Sequence, residues 1–476
     1  MICLHLPFVI VGAFLVLTLV VGIAFSRQDT TFREYAVGHK QFATATLVAT
    51  VLATYYSGGG LIRNVQYSYK SGLYWIILAL FINSFSRWIL SRLMVCMRPF
   101  MHNLSIAETM GNVYGRYPRM ITALVAVGRS IVCITMQIIA MVHAVSICVA
   151  LDGFSARMVT ICAALILISY SVFGGIRAVT ITDILQFITF TLIIPFLAWL
   201  MFRQTGKSMV DIVAFLGTQE RFQLSSLCHF DTKRLDMVAM ALCVLVPDLG
   251  APEIMQRVYM AADPHQAKTT FLYVSLFSFL ITGFILLIGL FIFVGGGGAL
   301  QSTDVWYYVT THVPPLFKGA FCISLLAMAM STADSCLNAC AVIVSHDIWA
   351  PLQKPQTMDD LRKLKIARWA TLIIGLSSMF LAFYCQDLFA LLMLGFAFSL
   401  PVITAPALLA ILGFRGTSRT ALIGMATGAM AMVVWNKWVQ AKTGIDGTFV
   451  CMLANGLAMM AAHYLFKQPE GAGWSR

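Results

Sequence analysis

Thirteen apolar runs, each close to or above the length of a bilayer-spanning helix, dominate this chain. A transmembrane helix needs about 20 mostly apolar residues. Irregular backbone cannot face lipid, so such spans must be α-helices or the strands of a closed barrel. The runs do not alternate between apolar and polar residues, which favours helices. The sequence predicts an all-α membrane protein with about 13 transmembrane helices, at 6–26, 42–68, 73–97, 119–150, 155–173, 181–202, 235–260, 268–294, 317–345, 366–384, 388–413, 418–438 and 446–466.

The polar residues leave no room for a soluble domain. Only 11% of the 476 residues are charged, against about 25% in an average soluble protein, so 1–476 is expected to be a single membrane domain. The net charge of +12 comes from Lys and Arg in short loops between apolar runs, which is the pattern of a membrane protein and argues against nucleic acid. The 12 Cys residues form no CxxC pair and are expected in the core, without metal or disulfides.

The basic residues also predict an orientation. The run Leu6–Phe25 has no preceding Lys or Arg and no small-x-small cleavage site, so it is expected to be a retained helix and not a signal peptide. With the N-terminus outside, 18 of the 32 Lys and Arg residues, Arg257 among them, fall on the cytoplasmic side and 11 outside, five of these in the long loop 203–234. Long loops count for little in this bias. We expect a multi-pass protein of the inner (plasma) membrane with its C-terminus in the cytoplasm.

Two of the predicted spans are interrupted. Span 42–68 contains Ser57-Gly58-Gly59-Gly60, and span 235–260 contains Pro247 and Pro252 with Gly250 between them. Gly and Pro weaken the helical hydrogen-bond ladder. The breaks lie five spans apart, on helices of opposite direction, which is typical of inverted repeats with a binding site at the breaks. The alternative is two kinked helices without a ligand. Matching positions favour repeats at 41–203 and 234–413, with additional C-terminal helices at 418–466.

A broken helix exposes unpaired carbonyl and N–H groups, which a cation or an anion can satisfy. Span 317–345 offers further oxygen atoms in the segment 328–335. Ser331 and Ser335 share one face at a spacing of four residues, and Thr332 lies beside them. The alternative is that these hydroxyls bond back to the preceding turn of their own helix.

Charged residues inside the spans mark candidate solute contacts, because each costs at least ~2.5 kcal/mol at mid-membrane. Arg129 lies within span 119–150, and Asp248 and Glu253 lie at the second break. In one interpretation Arg129 binds a solute carboxylate and Asp248 an amine, which suits an amino acid. In the other, Arg129 and Asp248 form an internal ion pair. Weaker polar or aromatic candidates are Tyr55, Ser57, Gly58, Tyr67 and Gln137.

Four segments, in order along nearly the whole chain, resemble the sodium/solute symporter family, which includes sodium/proline, sodium/glucose, pantothenate and sialic acid transporters. The segments are 32–38 (FREYAVG), 173–186 (FGGIRAVTITDILQ), 251–257 (APEIMQR) with 261–263 (AAD), and 329–338 (AMSTADSCLN). The resemblance implies a ten-helix core of two inverted five-helix repeats, with broken first and sixth core helices and extra helices at the ends.

The resemblance also implies a sodium site. It assigns Na⁺ to the carbonyls of Ala53, Tyr56 and Met328 and to the hydroxyls of Ser331 and Thr332. Sodium/proline relatives carry an Asp immediately before the position of Tyr56, where this chain has Tyr55, so proline itself is doubtful as the solute.

The resemblance leaves a second sodium open, at Asp183 with Ser331 and Ser335. Asp183 is expected at the start of span 181–202, near the cytoplasmic face. The alternative for this residue is a charge that the helix dipole favours at a helix N-terminus.

Together these features predict a sodium-coupled secondary active symporter that imports a small polar solute by alternating access. Two alternatives stay open: a transporter-like solute sensor, and a symporter coupled to protons through Asp183 and Asp334. A sensor would need a partner protein, since the chain ends about ten residues after the last span. No HExxH or GxSxG motif points to an enzyme. The solute and the oligomeric state are left undetermined by the sequence.

Overall fold

The computed structural model describes residues 2–26, 31–149, 153–225, 232–296, 298, 300, 305–353, 359–384 and 399–474. The described chain is almost entirely helical, as predicted. One short feature was not foreseen: Phe414–Arg415 pairs antiparallel with Gly473–Trp474 in a two-stranded sheet. The buried Phe414 ring lies edge-on to the rings of His463 and Trp474, so this sheet fastens the C-terminal segment to the helices.

The α-helices, in chain order, are α1 (Ile2–Ala24), α2 (Phe32–Val37), α3 (Thr44–Tyr55), α4 (Gly58–Ser71), α5 (Leu73–Leu93), α6 (Ile106–Tyr114), α7 (Arg116–Val149), α8 (Gly153–Gln204), α9 (Met209–Gly217), α10 (Thr232–Leu245), α11 (Pro252–Met260), α12 (Pro264–Gly295), α13 (Val305–His312), α14 (Pro315–Ile343), α15 (Asp360–Tyr384), α16 (Ala405–Ile411), α17 (Ser418–Val434), α18 (Ala441–Thr443) and α19 (Thr448–Leu465). Short 3₁₀ segments follow at Met94–Phe100, Glu220–Phe222 and Ala350–Leu352, and π-helical turns lie at Val344–Trp349, Leu400–Thr404 and Trp435–Gln440.

Several of these helices can cross a bilayer. Within the described ranges, eight are long and apolar enough, and the bent pair α3–α4 makes a ninth span if it counts as one. The chain is therefore a multi-pass membrane protein. The number thirteen stays a prediction, and part of the predicted span 388–413, at 388–398, lies outside the described residues.

The predicted spans 155–173 and 181–202 are joined without the loop that we expected between them. They form the single helical stretch α8, which kinks at Gly175, where φ is 52° and ψ is −155°. Glycine adopts a positive φ at little cost, so the chain changes direction within one residue. Asp183 consequently lies two turns beyond the kink and is fully buried. The expectation that Asp183 begins a helix was wrong.

Helix α14 occupies the centre of the molecule. Nearly every residue from Phe321 to Ile343 is buried, and α14 packs against α1, α7, α8 and the α3–α4 pair. On the other side of α3 and α4, α12 packs against both and against α5 and α8. The broken first pair is thus held between two long continuous helices.

Candidate ion and solute site

The first predicted break is present. Helix α3 ends at Tyr55 and α4 begins at Gly58, and their axes differ by 65°. Tyr56 and Ser57 have extended backbone, and the Ser57 hydroxyl accepts a hydrogen bond of 3.0 Å from the Gly60 N–H. This cap satisfies one of the free N–H groups at the start of α4. The break therefore leaves polar main-chain groups inside the membrane domain.

The glycine at the start of α4 allows close packing. A Cβ atom at Gly58 would lie 3.1 Å from the Leu325 carbonyl oxygen and 3.3 Å from the Ala329 Cβ, both on α14. Because glycine has no Cβ, α4 can begin directly against α14. Gly58 thus sets the distance between the break and the helix that carries the predicted hydroxyl ligands.

The second predicted break is also present. Helix α10 ends at Leu245, and α11 begins at Pro252, with Asp248 in the connecting turn. The Leu249 N–H donates to the Pro247 carbonyl at 2.9 Å. Proline at the first position of α11 lacks an N–H that would be free there in any case.

The hydroxyls predicted as sodium ligands face the end of α3. The Ser331 Oγ lies 2.9 Å from the Ala53 carbonyl oxygen and 3.1 Å from that of Met328. The Thr332 Oγ1 lies 3.3 Å from the Thr54 carbonyl oxygen and 3.0 Å from that of Met328. Both hydroxyls therefore bond back to their own helix, as the alternative predicted, and also reach α3. The result is a buried set of carbonyl and hydroxyl oxygens, the donor type that hard cations prefer.

Tyr56 is anchored at the break by its side chain. The phenol oxygen lies 2.9 Å from the Ser278 carbonyl oxygen and 2.8 Å from the Thr282 Oγ1, both on α12. These contacts fix the residue whose carbonyl is a predicted ligand, and they connect the break to α12.

A protein cation lies between the groups predicted for a second sodium. The Arg257 Nη2 lies 3.0 Å from the Asp183 Oδ2 and 2.5 Å from the Ser335 Oγ. The Arg257 Nε donates to the Thr50 Oγ1 at 3.0 Å, and Thr50 in turn donates to Asp183. Arg257 is only 1% exposed, so its assignment to a cytoplasmic loop was wrong. A sodium ion at Asp183 and Ser335 would require this guanidinium to leave.

Comparison with known proteins decides the family. The model of the sodium:solute symporter family matches residues 35–428, well over half of the chain. This chain belongs to the sodium:solute symporter family. The resemblance found in the four sequence segments is thereby confirmed, and the coupling ion of this transporter is Na⁺.

Solved structures share the fold of this symporter. A Na⁺-coupled sialic acid symporter in a substrate-bound outward-open state superposes with a TM-score of 0.83 at 18% identity, covering 98% of both chains. A transporter of the nucleobase-cation-symport-1 family with bromovinylhydantoin bound gives 0.60 at 12% identity, over 90% of this chain and 94% of the other. MhsT in complex with L-phenylalanine gives 0.53 at 13%, over 89% and 98%.

The symporter holds its predicted solute residues in an ion-pair cluster at the second break. The Arg129 Nη2 lies 2.6 Å from the Asp248 Oδ2 and 3.7 Å from the Glu253 Oε1. This is the internal pair that the sequence offered as an alternative to direct solute binding. Asp248 keeps 30% of its side chain exposed, whereas Arg129 and Glu253 are almost fully buried.

The remaining solute candidates of the symporter divide into two groups. Tyr55 lies at the end of α3, which packs against α11 at the second break. Tyr67 lies apart, with its ring 4.7 Å from that of Trp75.

Two further candidates are polar groups on the buried helices. Gln137 is 5% exposed, and its Oε1 has no hydrogen-bond partner among the described residues. Ser57 already serves as the cap of α4. Sequence reasoning missed Arg87, whose guanidinium lies over the Tyr55 ring. Its position inside an apolar span was the signal that could have found it.

Proposed function

We propose that this symporter imports a small polar solute by alternating access, with the sodium gradient as the driving force. The observation that carries the proposal is the contact of the Ser331 and Thr332 hydroxyls with the main-chain carbonyls at the end of α3. These oxygens join the broken helix to the central helix α14. An ion held there stabilises the arrangement of the two helices, and its loss frees them to move.

In this proposal the sodium ligands are the carbonyls of Ala53, Tyr56 and Met328 and the hydroxyls of Ser331 and Thr332. Burial supports the assignment, because all five residues are less than 10% exposed. When a cation binds, the carbonyl oxygens coordinate it and no longer accept hydrogen bonds from the two hydroxyls. The hydroxyls can then rotate so that their oxygens face the ion and their protons point away from it. Asp183 and Ser335 remain candidates for a second sodium only in a state where Arg257 has moved. Proton coupling through Asp183 or Asp334 is a weaker proposal, since the family couples transport to sodium.

We propose that the chain has the LeuT-type fold of its structural neighbours. It comprises a ten-helix core of inverted repeats at 41–203 and 234–413, additional helices at 418–466, and about 13 spans in total. The two breaks, at matching places in the two halves, support it. We further propose that the protein lies in the inner membrane with its N-terminus outside. Removing the buried Arg257 from the cytoplasmic count still leaves the excess of basic residues on that side.

Sodium titration of thermal stability tests the ion site without knowledge of the solute. Sodium that binds the folded protein raises its melting temperature, and choline chloride keeps the ionic strength constant. A hydrogen bond or ligand contact to a charged group contributes about 1.5–3 kcal/mol, and about 1.4 kcal/mol is tenfold in affinity. We therefore expect Ser331→Ala and Thr332→Ala each to raise the half-saturating sodium concentration about tenfold or more.

The control is Ser169→Ala. Ser169 also bonds back to its own helix, at the Leu165 carbonyl, but it is exposed and distant from the breaks in the chain. This variant is expected to titrate like the wild type. The proposal is wrong if sodium and choline stabilise the wild type equally, or if both ligand variants keep the sodium affinity of the wild type.

A further inference from the structure

Arg87 is a buried cation that the sodium site does not use. It lies on α5, is 7% exposed, and its Nη1 has no hydrogen-bond partner among the described residues. None of the ion pairs found in the described part of the chain includes it. Its guanidinium carbon lies 4.4 Å from the ring centroid of Tyr55 and 5.5 Å from that of Tyr56. The aromatic faces attract the cation, but they leave its N–H donors free for another group.

Tyr55 connects Arg87 to the two breaks. It is the last residue of α3, and α3 packs against α11, whose first turn carries Glu253. The N-terminus of α4 follows three residues later, at Gly58. The free N–H groups and the dipole of that 14-residue helix favour an anionic group. Arg87 and the start of α4 thus give one end of the region between the breaks a positive potential.

Two carboxylates lie at the second break. Arg129 faces two carboxylates and can neutralise only one of them. The Asp248 Oδ1 and the Glu253 Oε2 are buried without a hydrogen-bond partner among the described residues. Both atoms can accept from a cationic group. A Cβ added at Gly59, in the first turn of α4, would meet nothing within 4 Å, so the start of α4 is open on that side.

From these contacts we propose that Arg87 recognises an acidic group of the solute and that the solute is a zwitterion. The acidic group binds the Arg87 guanidinium, which suits a planar carboxylate because it can donate two parallel hydrogen bonds. The ammonium group binds at Asp248 and Glu253. The two arginines and two carboxylates sum to zero charge, so a zwitterion completes the hydrogen bonding without adding net charge inside the membrane. This proposal rests on the proposed symport and assigns to Arg87 the role that the sequence gave to Arg129.

The test uses the purified full-length protein in lipid nanodiscs with saturating sodium. The probes are the L-amino acids, glycine betaine and taurine. Each amino acid is compared with two derivatives: its amide, which lacks the anionic group, and its N-acetyl derivative, which lacks the cationic group. We expect at least one zwitterion to raise the melting temperature and both of its derivatives to bind at least tenfold more weakly.

Variants of Arg87 separate recognition from folding. Arg87→Gln is expected to weaken binding of the zwitterion at least tenfold, and Arg87→Lys less, since it keeps the charge but not the paired donors. The half-saturating sodium concentration measured without solute is expected to stay at the wild-type value in both variants. Arg92→Gln is the control, because Arg92 lies on the same helix but is exposed, over the Trp88 ring.

Three results would overturn the assignment of Arg87: an amide that binds as tightly as its parent amino acid, unchanged zwitterion binding by Arg87→Gln, or a sodium-stabilised protein that binds no zwitterion of the panel. If Arg87→Gln loses its sodium response, the test uses Arg87→Lys instead. Arg87→Lys with an intact sodium response and an unchanged affinity for the zwitterion also contradicts the assignment. Absence of any sodium response in the wild type would instead contradict the proposed symport, and this proposal with it.

Discussion

At the scale of single residues, Arg257 connects α11 to three other helices through polar contacts. Its nitrogens reach Asp183 on α8, Thr50 on α3 and Ser335 on α14, and the Gln256 side chain at 3.2 Å. Asp183 and Arg257 are both fully buried. Removing one member of a buried ion pair leaves the other charge buried without a partner. The stability of the protein therefore depends on Asp183 and Arg257 together.

Single and double substitutions of the pair test this. Arg257→Gln is expected to lower the free energy of unfolding by about 3–5 kcal/mol, because it leaves the Asp183 carboxylate buried without a countercharge. Adding Asp183→Asn removes that charge and is expected to recover part of the loss. Denaturant unfolding in detergent micelles measures both variants. A double variant no more stable than Arg257→Gln would contradict the argument.

At the scale of helices, α12 holds both halves of the first broken span. Its backbone accepts hydrogen bonds from Tyr56 through the Ser278 carbonyl and from Ser68 through the Leu286 carbonyl. Three residues beyond Leu286, α12 approaches α4 so closely that a Cβ atom at Gly289 would lie 2.4 Å from the Val65 carbonyl oxygen. The position of the break therefore depends on a glycine outside the broken helix.

Two of the three glycines of α12, Gly283 and Gly289, provide a matched comparison. Gly289→Ala forces α12 away from the α4 backbone and is expected to destabilise the protein by about 1–3 kcal/mol, as overpacking does. Gly283→Ala has ordinary clearance, with the Leu80 Cδ1 at 3.8 Å, and is expected to be neutral or stabilising by up to about 1 kcal/mol, since alanine favours the helix. Thermal melts of the two variants check this. Equal melting temperatures would show that the helix contact is not tight.

At the scale of the whole molecule, the distribution of basic residues sets the orientation in the membrane. Among the described residues of the cytoplasmic count, Arg257 alone is buried in the core. The count on that side falls from 18 by one, against 11 outside. The direction of the bias is unchanged, so the N-out, C-in topology remains our prediction.

Epitope tags test the topology on intact cells. A tag inserted after Gly444, in the loop between α18 and α19, is expected to bind antibody without permeabilisation of the inner membrane. A tag appended to the C-terminus is expected to bind only after permeabilisation. The reverse pattern would contradict the N-out, C-in topology, provided that both tagged proteins still show the sodium response.

The amino-acid sequence alone determined the features that depend on near neighbours along the chain. The predicted span 268–294 differs from α12, Pro264–Gly295, by a few residues, because apolar length in lipid is a local property. The breaks at Ser57–Gly60 and Pro247–Pro252 were also predicted from the sequence, because Gly and Pro weaken the helical hydrogen bonds of their own turn. The hydroxyls of Ser331 and Thr332 were predicted as sodium ligands because the segment 329–338 resembles the family, and this assignment stays a prediction.

Only the tertiary structure decided which distant groups meet. Asp183 and Arg257 are 74 residues apart in the chain, and no local pattern shows that they pair. Whether Gly175 ends a helix or kinks it, and whether Arg129 binds Asp248 or a solute, likewise depends on packing. The physical reason is that helix formation in a membrane is fixed by local hydrogen bonding and lipid exposure, whereas the partner of a buried charge is fixed by which helices pack together.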